Sequence, residues 1–358
     1  MTLFWYDCET YSEVPISHGV DPYAEKAEQM IHAYAFGDGP VSIWDETDGR
    51  EMPADLEAAF RNPEYLVVSH NSRFDRTLLA HCYPELCPPV ERWLDTMVMA
   101  LSHSLPASLA HLCQVLKVPT DQAKDRDGKR LIQLFCKPRP SNMKLRRATS
   151  ESHPIEWAKF VAYAGQDIVA MRECYRRLPK WNDTKDELAL WHLDQKINDR
   201  GFFVDLELAR AAVKATEREQ QILADQTKEM TSGVVESATQ REALINYLFH
   251  FHGITVPNLQ KATIEKMLTN ADLPREVIDL LQVRQQASGT ASAKYQVLLN
   301  ATSTDGRLRG TLQFRGASRT GRWSGRLFQP QNLPRSNMKQ SDIEDGITAL
   351  KANILDLI

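Results

Sequence analysis

Apolar and polar residues alternate differently in the first half of the chain and in the second half. In residues 1–185, short apolar runs typical of buried strands alternate with patterns typical of helices. The predicted strands are Leu3–Tyr6, Ile31–Phe36, Val41–Trp44 and Leu66–Val68. The predicted helices are Leu56–Phe60, Arg73–Cys82, Thr96–Ser102, Ser108–Leu116 and Trp157–Ile168. This alternation predicts an α/β domain in which helices pack on a sheet.

Residues 186–300 show a helical pattern, with a strand signal only at Phe202–Val204. The predicted helices are Glu187–Arg200, Leu206–Thr231, Gln240–His252, Ala262–Asn270 and Arg275–Leu299. Residues 301–358 begin with a predicted strand, Leu308–Phe314, and end with a predicted amphipathic helix, Asp342–Ile358. We therefore divide the chain into three parts: 1–185, 186–300 and 301–358.

The amino-acid composition indicates that the chain can form ordinary globular cores. Of its 358 residues 42% are apolar and 25% are charged, and no apolar run approaches the length of a membrane span. The six cysteines include no Cys-x-x-Cys pair, which favours reduced thiols and argues against a zinc site. We expect a cytoplasmic protein that has no membrane partner.

The charge distribution is more informative than the net charge of −4. Residues 283–340 contain ten Lys and Arg but a single acid, Asp305. Such exclusion of acids is typical of a phosphate-binding surface. The segment Asp121–Arg147 is also rich in Lys and Arg and is interrupted by Pro. We interpret it as a solvated loop, or as a mobile loop near the catalytic cleft.

Three short motifs supply four carboxylates. Asp7 and Glu9 stand two apart at the end of a predicted strand, so their side chains share one face, whereas Cys8 points to the other. Asp75 closes an Asn-x-x-x-Asp motif at the start of a predicted helix. In the third motif, Tyr163 and Asp167 are i and i+4 neighbours on one helix face.

Four clustered carboxylates would repel one another without a cation, and they fit a site for two divalent metals at a phosphodiester. Mg²⁺ or Mn²⁺ is expected because both ions prefer carboxylate oxygens. The hydroxyl of Tyr163 can orient the attacking water. Taken singly, the motifs also fit a surface loop, a helix cap and a surface pair. Their conjunction and order favour the metal site.

The motifs resemble those of the DEDD exonucleases of the Tyr subtype, which proofread for DNA polymerases. That resemblance implies a ribonuclease H-like (DnaQ-like) fold and the 3′→5′ release of nucleoside 5′-monophosphates. It implies that the metal ligands are Asp7, Glu9, Asp75 and Asp167, with Tyr163 orienting the water. It further implies that Thr10, Asn71 and Phe74 hold the 3′ end of a single DNA strand.

A second resemblance concerns the rest of the chain. Thr-Gly-Arg-Trp-Ser-Gly-Arg at 320–326, followed by Gln-Asn-Leu-Pro at 331–334, is similar to the segment before the palm of family A DNA polymerases of the phage type. Leu333 stands where Ile is usual, and Gly325 and Arg326 replace the common Ser-Thr. The resemblance implies contacts to primer–template DNA from Thr320, Arg322, Arg326, Gln331 and Asn332.

Residues 198–205, Asn-Asp-Arg-Gly-Phe-Phe-Val-Asp, resemble the entry to a polymerase thumb. The resemblance makes 1–185 an exonuclease domain, 186–300 a helical thumb, and 301–358 the incomplete start of a palm. The further palm aspartates and the fingers helix of such polymerases are not found in this sequence, so we expect no nucleotide addition by this chain alone.

The expected role is proofreading in DNA replication, in the host cytoplasm if the protein is of phage origin, together with the remaining palm and fingers. Two alternatives stay open. One is a DNA-binding subunit of a split polymerase, and the other is a ribonuclease D-like exoribonuclease.

Overall fold

The structure is a computed structural model that describes residues 2–119, 128–287, 293–333 and 335–354. The chain forms two compact units. The first comprises Met1–Phe203 and Asn300–Asn332, and the second comprises Val204–Leu299 and Leu333–Ile358. The first unit therefore combines residues that the sequence division at 185 and 300 assigned to three parts. The identity of those parts as exonuclease, thumb and palm start remains a prediction about function.

A five-stranded mixed sheet is the centre of the first unit. Its strands are β1 (Thr2–Ser12), β2 (Ala27–Phe36), β3 (Ser42–Asp45), β4 (Tyr65–Ser69) and β5 (Trp93–Asp95). They are ordered β3-β2-β1-β4-β5. The pairs β1–β2 and β2–β3 are antiparallel, and the pairs β1–β4 and β4–β5 are parallel. The predicted α/β sheet is confirmed, and β1 occupies its middle.

Helices cover this sheet. They are α1 (Val20–Ala24), α2 (Ala54–Arg61), α3 (Ser72–Cys82), α4 (Thr96–Leu101), α5 (Leu109–Val115), α6 (Gly128–Phe135), α7 (Pro154–Arg177) and α8 (Lys185–Arg200). Side chains alternate along β1 between two cores. Phe4, Tyr6 and Cys8 join the core formed with α2 and α3, whereas Trp5 and Tyr11 join the core formed with α6 and α7. Core packing of Cys8, predicted from its strand face, is confirmed.

Three sequence predictions need correction. The loop predicted over 121–147 contains α6, because Leu131 and Phe135, spaced i and i+4, are buried against α7. Residues 121–127 of that segment lie outside the described residues. The short elements α1 and β5 were not predicted, since three to five residues carry little periodicity.

The third correction concerns the strand predicted over Leu308–Phe314. The structure has two strands there, β7 (Arg307–Leu308) and β8 (Leu312–Ala317). Gly310 between them has φ +64°, a left-handed conformation that interrupts an extended chain. β7 pairs with β6 (Phe202–Phe203), and β8 pairs with β9 (Arg322–Gly325).

The second unit is helical in its described residues. Its helices are α9 (Leu206–Met230), α10 (Arg241–His252), α11 (Lys261–Leu268), α12 (Arg275–Ala287), α13 (Ala293–Ala301, whose last two residues belong to the first unit) and α14 (Gln340–Lys351). Leu244, Leu248, Leu280 and Leu281 contribute to its main core. The predicted long helix Arg275–Leu299 appears as α12 and α13, and residues 288–292 between them lie outside the described residues. None of the helices in the described ranges is long and apolar enough to cross a membrane.

Candidate active site

β1 carries the first two carboxylates near the middle of the sheet. Asp7 is paired with Ala33 and Glu9 with Ile31 on the antiparallel neighbour β2. Their separation by two residues puts both side chains on the face that α7 covers. A β-bulge follows between Glu9 and Thr10, so the strand changes its local twist directly after the second acid.

Asp167 on α7 meets these two residues. One carboxylate oxygen from each of Asp7, Glu9 and Asp167 lies within 4.8 Å of the other two. Glu9 and Asp167 are buried. Three acids this close favour a bound cation because their charges otherwise repel one another in a partly dehydrated site. Carboxylate oxygens are also the donors that hard divalent cations prefer, so this acidic cluster fits the divalent metals of exonuclease domains.

Asp75 reaches the same region from α3 but is not part of that group of three. Its Oδ1 accepts a 3.1 Å hydrogen bond from the backbone N–H of Cys8, between the two β1 acids. Asp75 is buried, and burial, followed by the charge of Asp7, raises the pKa of its carboxyl well above the usual range. The structure therefore brings three predicted carboxylates together and places the fourth against the backbone at their border.

Tyr163 lies one helical turn before Asp167 and is buried. Its ring stacks on that of Phe160, with centroids 6.2 Å apart. Burial, followed by the charge of Asp167, raises the pKa of the phenol well above 10, so the hydroxyl keeps its proton. The side chain is held next to the acidic group.

Gly128, the first residue of α6, was not recognised from the sequence as part of the site. A Cβ atom at this position would lie 2.1 Å from Cε2 of Tyr163, which is far inside van der Waals contact. Only glycine allows the start of α6 to pack this closely on the tyrosine ring. No local sequence signal marks this contact, and the segment that contains Gly128 was interpreted as a loop.

A cleft of about 580 Å³ opens beside Glu9. Thr10 and Phe74, both predicted from the exonuclease resemblance, line it. The hydroxyls of Thr10 and Tyr23 are hydrogen-bonded at 2.8 Å, and the rings of Tyr23 and Phe74 are 5.8 Å apart. The structure thus puts the two predicted strand-binding residues next to a carboxylate.

Residues of the segment 121–147, which one interpretation of the sequence placed near the cleft, also line it. They are Ile132, Gln133, Cys136, Lys137 and Pro138. The Sγ of Cys136 lies 3.8 Å from Oε2 of Glu9, which is within reach of a weak S–H hydrogen bond. These residues belong to α6 and the loop after it.

Asn71 faces a different cavity. It is the N-cap residue of α3 and has a left-handed backbone, φ +71° and ψ +49°. Its N–H donates a 3.0 Å hydrogen bond to Oδ1 of Asp95, whose other oxygen accepts one from Ser72 N–H at 2.8 Å. The cavity, of about 680 Å³, is also lined by Arg326. Asn71 does not line the cleft beside Glu9.

The five residues predicted to contact primer–template DNA lie on or after the β8–β9 hairpin. They are Thr320, Arg322, Arg326, Gln331 and Asn332, and all five are exposed. Within the part of the chain that the structure describes, none of them lines the cleft beside Glu9. They form a surface distinct from the carboxylate site.

Comparisons with known proteins agree with this geometry. A family model described as 3′–5′ exonuclease, of the DNA polymerase A type, matches residues 17–181. The DNA polymerase of Bacillus phage SP02 is 35% identical in an alignment of 342 residues that covers 94% of this chain and 52% of the phage protein. The chain therefore spans about half the length of that relative.

A solved structure, the polymerase domain of Pol1 from M. smegmatis in complex with primer–template DNA and dNTP, has a similar fold. The TM-score is 0.55 at 16% identity, over 92% of this chain and 53% of that one. This similarity concerns the fold alone.

The mixed sheet, with acids on its central strand and on α7, has the ribonuclease H-like arrangement of an exonuclease domain. Residues 17–181 carry the 3′–5′ exonuclease signature of family A DNA polymerases. These residues therefore form an exonuclease domain of the DNA polymerase A type, and the chain is similar in sequence to a phage DNA polymerase.

Proposed function

We propose that this chain is a metal-dependent 3′→5′ exonuclease of the DEDD type, Tyr subtype, which removes nucleotides from the 3′ end of single-stranded DNA. The convergence of Asp7, Glu9 and Asp167, with carboxylate oxygens within 4.8 Å of one another, is the observation that carries the proposal. The family assignment of residues 17–181 supports the same activity.

Asp7, Glu9, Asp75 and Asp167 are the proposed ligands of two divalent cations, Mg²⁺ or Mn²⁺. Such ions, when bound, supply positive charge for the attacking and leaving oxygens of a phosphodiester. Because the phenol of Tyr163 keeps its proton, it can donate a hydrogen bond to the water oxygen and hold it in line with the phosphorus. The water oxygen bonds to phosphorus and gives up one proton, while the P–O3′ bond breaks and O3′ takes up one proton. The shortened strand thus ends in a 3′-hydroxyl, and the terminal residue leaves as a nucleoside 5′-monophosphate.

The substrate end is proposed to enter the cleft beside Glu9. Phe74 offers a ring face on which the terminal base can stack, and Thr10 offers a hydroxyl at the same wall. Asn71, around the N-terminus of α3, is proposed to contact the strand from the neighbouring cavity. A duplex end must fray before it can enter.

The β8–β9 region is proposed to bind primer–template phosphates through Thr320, Arg322, Arg326, Gln331 and Asn332. Exposed guanidinium groups bind phosphates bidentately, which supports this role. The proposed partners are DNA and the remaining palm and fingers of a family A polymerase, acting in replication in the host cytoplasm. Within that assembly the exonuclease would proofread.

The test compares the wild-type chain with an Asp7→Ala/Glu9→Ala variant on 5′-labelled single-stranded DNA in Mg²⁺. Stepwise shortening from the 3′ end, lost in the variant and in EDTA, is the expected result. An RNA strand of the same sequence separates the DNA exonuclease from a ribonuclease D-like enzyme. Intact DNA after prolonged incubation with the wild-type chain would refute the proposal.

A further inference from the structure

A strongly basic segment follows the first residue of α6. Residues 128–147 contain seven Lys and Arg and no Asp or Glu; the basic residues are Lys129, Arg130, Lys137, Arg139, Lys144, Arg146 and Arg147. Ordinary solvated surfaces intersperse both signs of charge. A surface that excludes acids over such a length is typical of phosphate binding.

Three of these basic residues line the cleft beside Glu9 or lie next to residues that line it. Lys137 lines it directly. Lys129 is exposed and precedes Gln133, another lining residue, by one turn of α6. The Nε of Arg146 lies 3.7 Å from Oε1 of Glu13, which also lines the cleft. The basic segment therefore forms one edge of the cleft.

The loop after α6 is held in place by its own hydrogen bonds. The N–H of Arg139 donates to the carbonyl of Arg146 at 2.8 Å, and Nη1 of Arg146 donates back to the carbonyl of Arg139 at 2.7 Å. The guanidinium of Arg147 lies over the ring of Tyr11, 4.1 Å from its centroid. Because the loop is anchored at both ends, it loses less conformational entropy when DNA binds than a free loop would lose.

We propose that Lys129, Lys137, Lys144 and Arg146 form a phosphate-binding strip for the single strand just upstream of the nucleotide being removed. Lys144 is exposed between Met143 and Leu145, two exposed apolar side chains that offer surface to the bases. The strip rests on the proposed exonuclease function, because it assigns the path by which that substrate leaves the cleft. It is separate from the exposed arginines of the β8–β9 hairpin.

The test measures the salt dependence of DNA binding. A fluorescent oligothymidylate of about 12 nucleotides is titrated in EDTA, where it is not cut, between about 50 and about 200 mM salt. Lys129→Gln/Lys137→Gln removes two of the proposed phosphate contacts. The slope of log K against log salt should fall by about 1.4 in magnitude, or about 0.7 per lost contact on a single strand.

The matched control is Lys117→Gln/Lys185→Gln, which removes two exposed charges from the same compact unit. The backbone carbonyl of Lys117 accepts a hydrogen bond from Arg177 at the far end of α7, whereas the strip lies near the start of that helix. A reduced slope in the strip variant alone supports the proposal. Equal slopes in all three proteins, or an equal reduction in the control, overturn it.

Measurements on the same proteins distinguish a failure of the proposed strip from a failure of the proposed exonuclease activity. If the wild-type chain does not shorten DNA and the strip variant still loses slope, the proposed function fails and the strip remains a site for single-stranded DNA. If the wild-type chain shortens DNA and the slopes do not differ, the strip alone is refuted. Thermal unfolding of each variant confirms that the binding data refer to folded protein.

Discussion

The indole Nε1–H of Trp323 donates a 2.7 Å hydrogen bond to Oδ1 of Asp194, a buried carboxylate on α8. The other oxygen of Asp194 accepts hydrogen bonds from Gln195 at 3.0 Å and Asn198 at 3.1 Å. Asn198 also bonds the backbone of Leu312 through both its amide nitrogen and its oxygen. α8 thus holds the β8–β9 hairpin through a buried polar network.

Replacing Trp323 with Phe should test this anchor. The variant keeps an aromatic ring but leaves a buried carboxylate oxygen without its indole donor, so the free energy of unfolding should fall by about 1–3 kcal/mol. Urea unfolding measures the change. Trp181→Phe, at an exposed indole, is the control and should stay within about 0.5 kcal/mol. Equal losses would mean that the hydrogen bond contributes little.

Asp194 should also give the stability a measurable pH dependence. Burial raises the pKa of this carboxyl above 3.8, so the folded state binds the proton more tightly than the unfolded state does. The contribution of Asp194 to the free energy of unfolding is therefore largest below 3.8 and falls as the pH rises through the higher folded pKa. The stability advantage of wild type over Asp194→Asn should shrink across that range in urea titrations at stepped pH. A constant difference would contradict the raised pKa.

Asp199 links α8 to α3 through two arginines. Its Oδ1 lies 2.9 Å from Nη1 of Arg73, and its Oδ2 lies 2.7 Å from Nη1 of Arg76. Both arginine side chains are largely buried, so Asp199→Asn should lower the free energy of unfolding by about 1.5–3 kcal/mol. Asp279→Asn removes an exposed i, i+4 pair with Arg275 and should cost about 0.5 kcal/mol or less. Chemical denaturation of both variants decides whether the α3 link is the stronger one.

Gly128→Ala should impair hydrolysis without removing any polar group. The added methyl would overlap the ring of Tyr163 and push it away from Asp167. A displacement near 1 Å at a reacting centre costs about 100-fold in rate, so kcat for removal of the 3′ nucleotide should fall by about that factor. Gly346→Ala, where the methyl would meet open space, serves as the control. Normal kcat in Gly128→Ala would show that the site tolerates movement of Tyr163.

Divalent metal should reverse the order of stability between wild type and Asp7→Ala/Glu9→Ala. In EDTA the variant should unfold at higher denaturant, because it lacks two of the three acids that repel one another. Mn²⁺ at about 100 times its Kd should add about 2.7 kcal/mol to the wild type and little to the variant. Parallel unfolding curves with and without Mn²⁺ would show whether the order changes. If the metal stabilised both proteins equally, it would bind elsewhere.

The sequence predicted the sheet and the convergence of Asp7 and Glu9 because a period of two residues on a strand depends only on local spacing. It also placed Asp167 one helical turn from Tyr163, since α7 is long and strongly periodic. For β2 and α3 the pattern of apolar residues was long enough to indicate the element.

The contacts that were missed depend on tertiary packing. Nothing local to Gly128 indicates that a tyrosine thirty-five residues later lies on it. The partner of Trp323 is likewise on a distant helix, and the hairpin that carries it begins only after Gly310 turns the chain. Helix α6 was missed because the segment 121–147 was interpreted from its many basic residues. The two buried positions of the helix, Leu131 and Phe135, were therefore not recognised as a helical spacing.

Successive side chains of β1 point to two opposite faces of the sheet, and only one face carries the acids. The site is therefore sensitive to deletions in the residues that precede Asp7. Deleting a single residue before Asp7 would turn the acids toward the core that Phe4 and Tyr6 now fill, and would expose apolar rings to α7. Deleting two residues would keep each side chain on its face but shift both acids along the strand by nearly 7 Å. A lineage could thus lose nuclease chemistry through a small in-frame deletion while every acidic residue is still present in its gene.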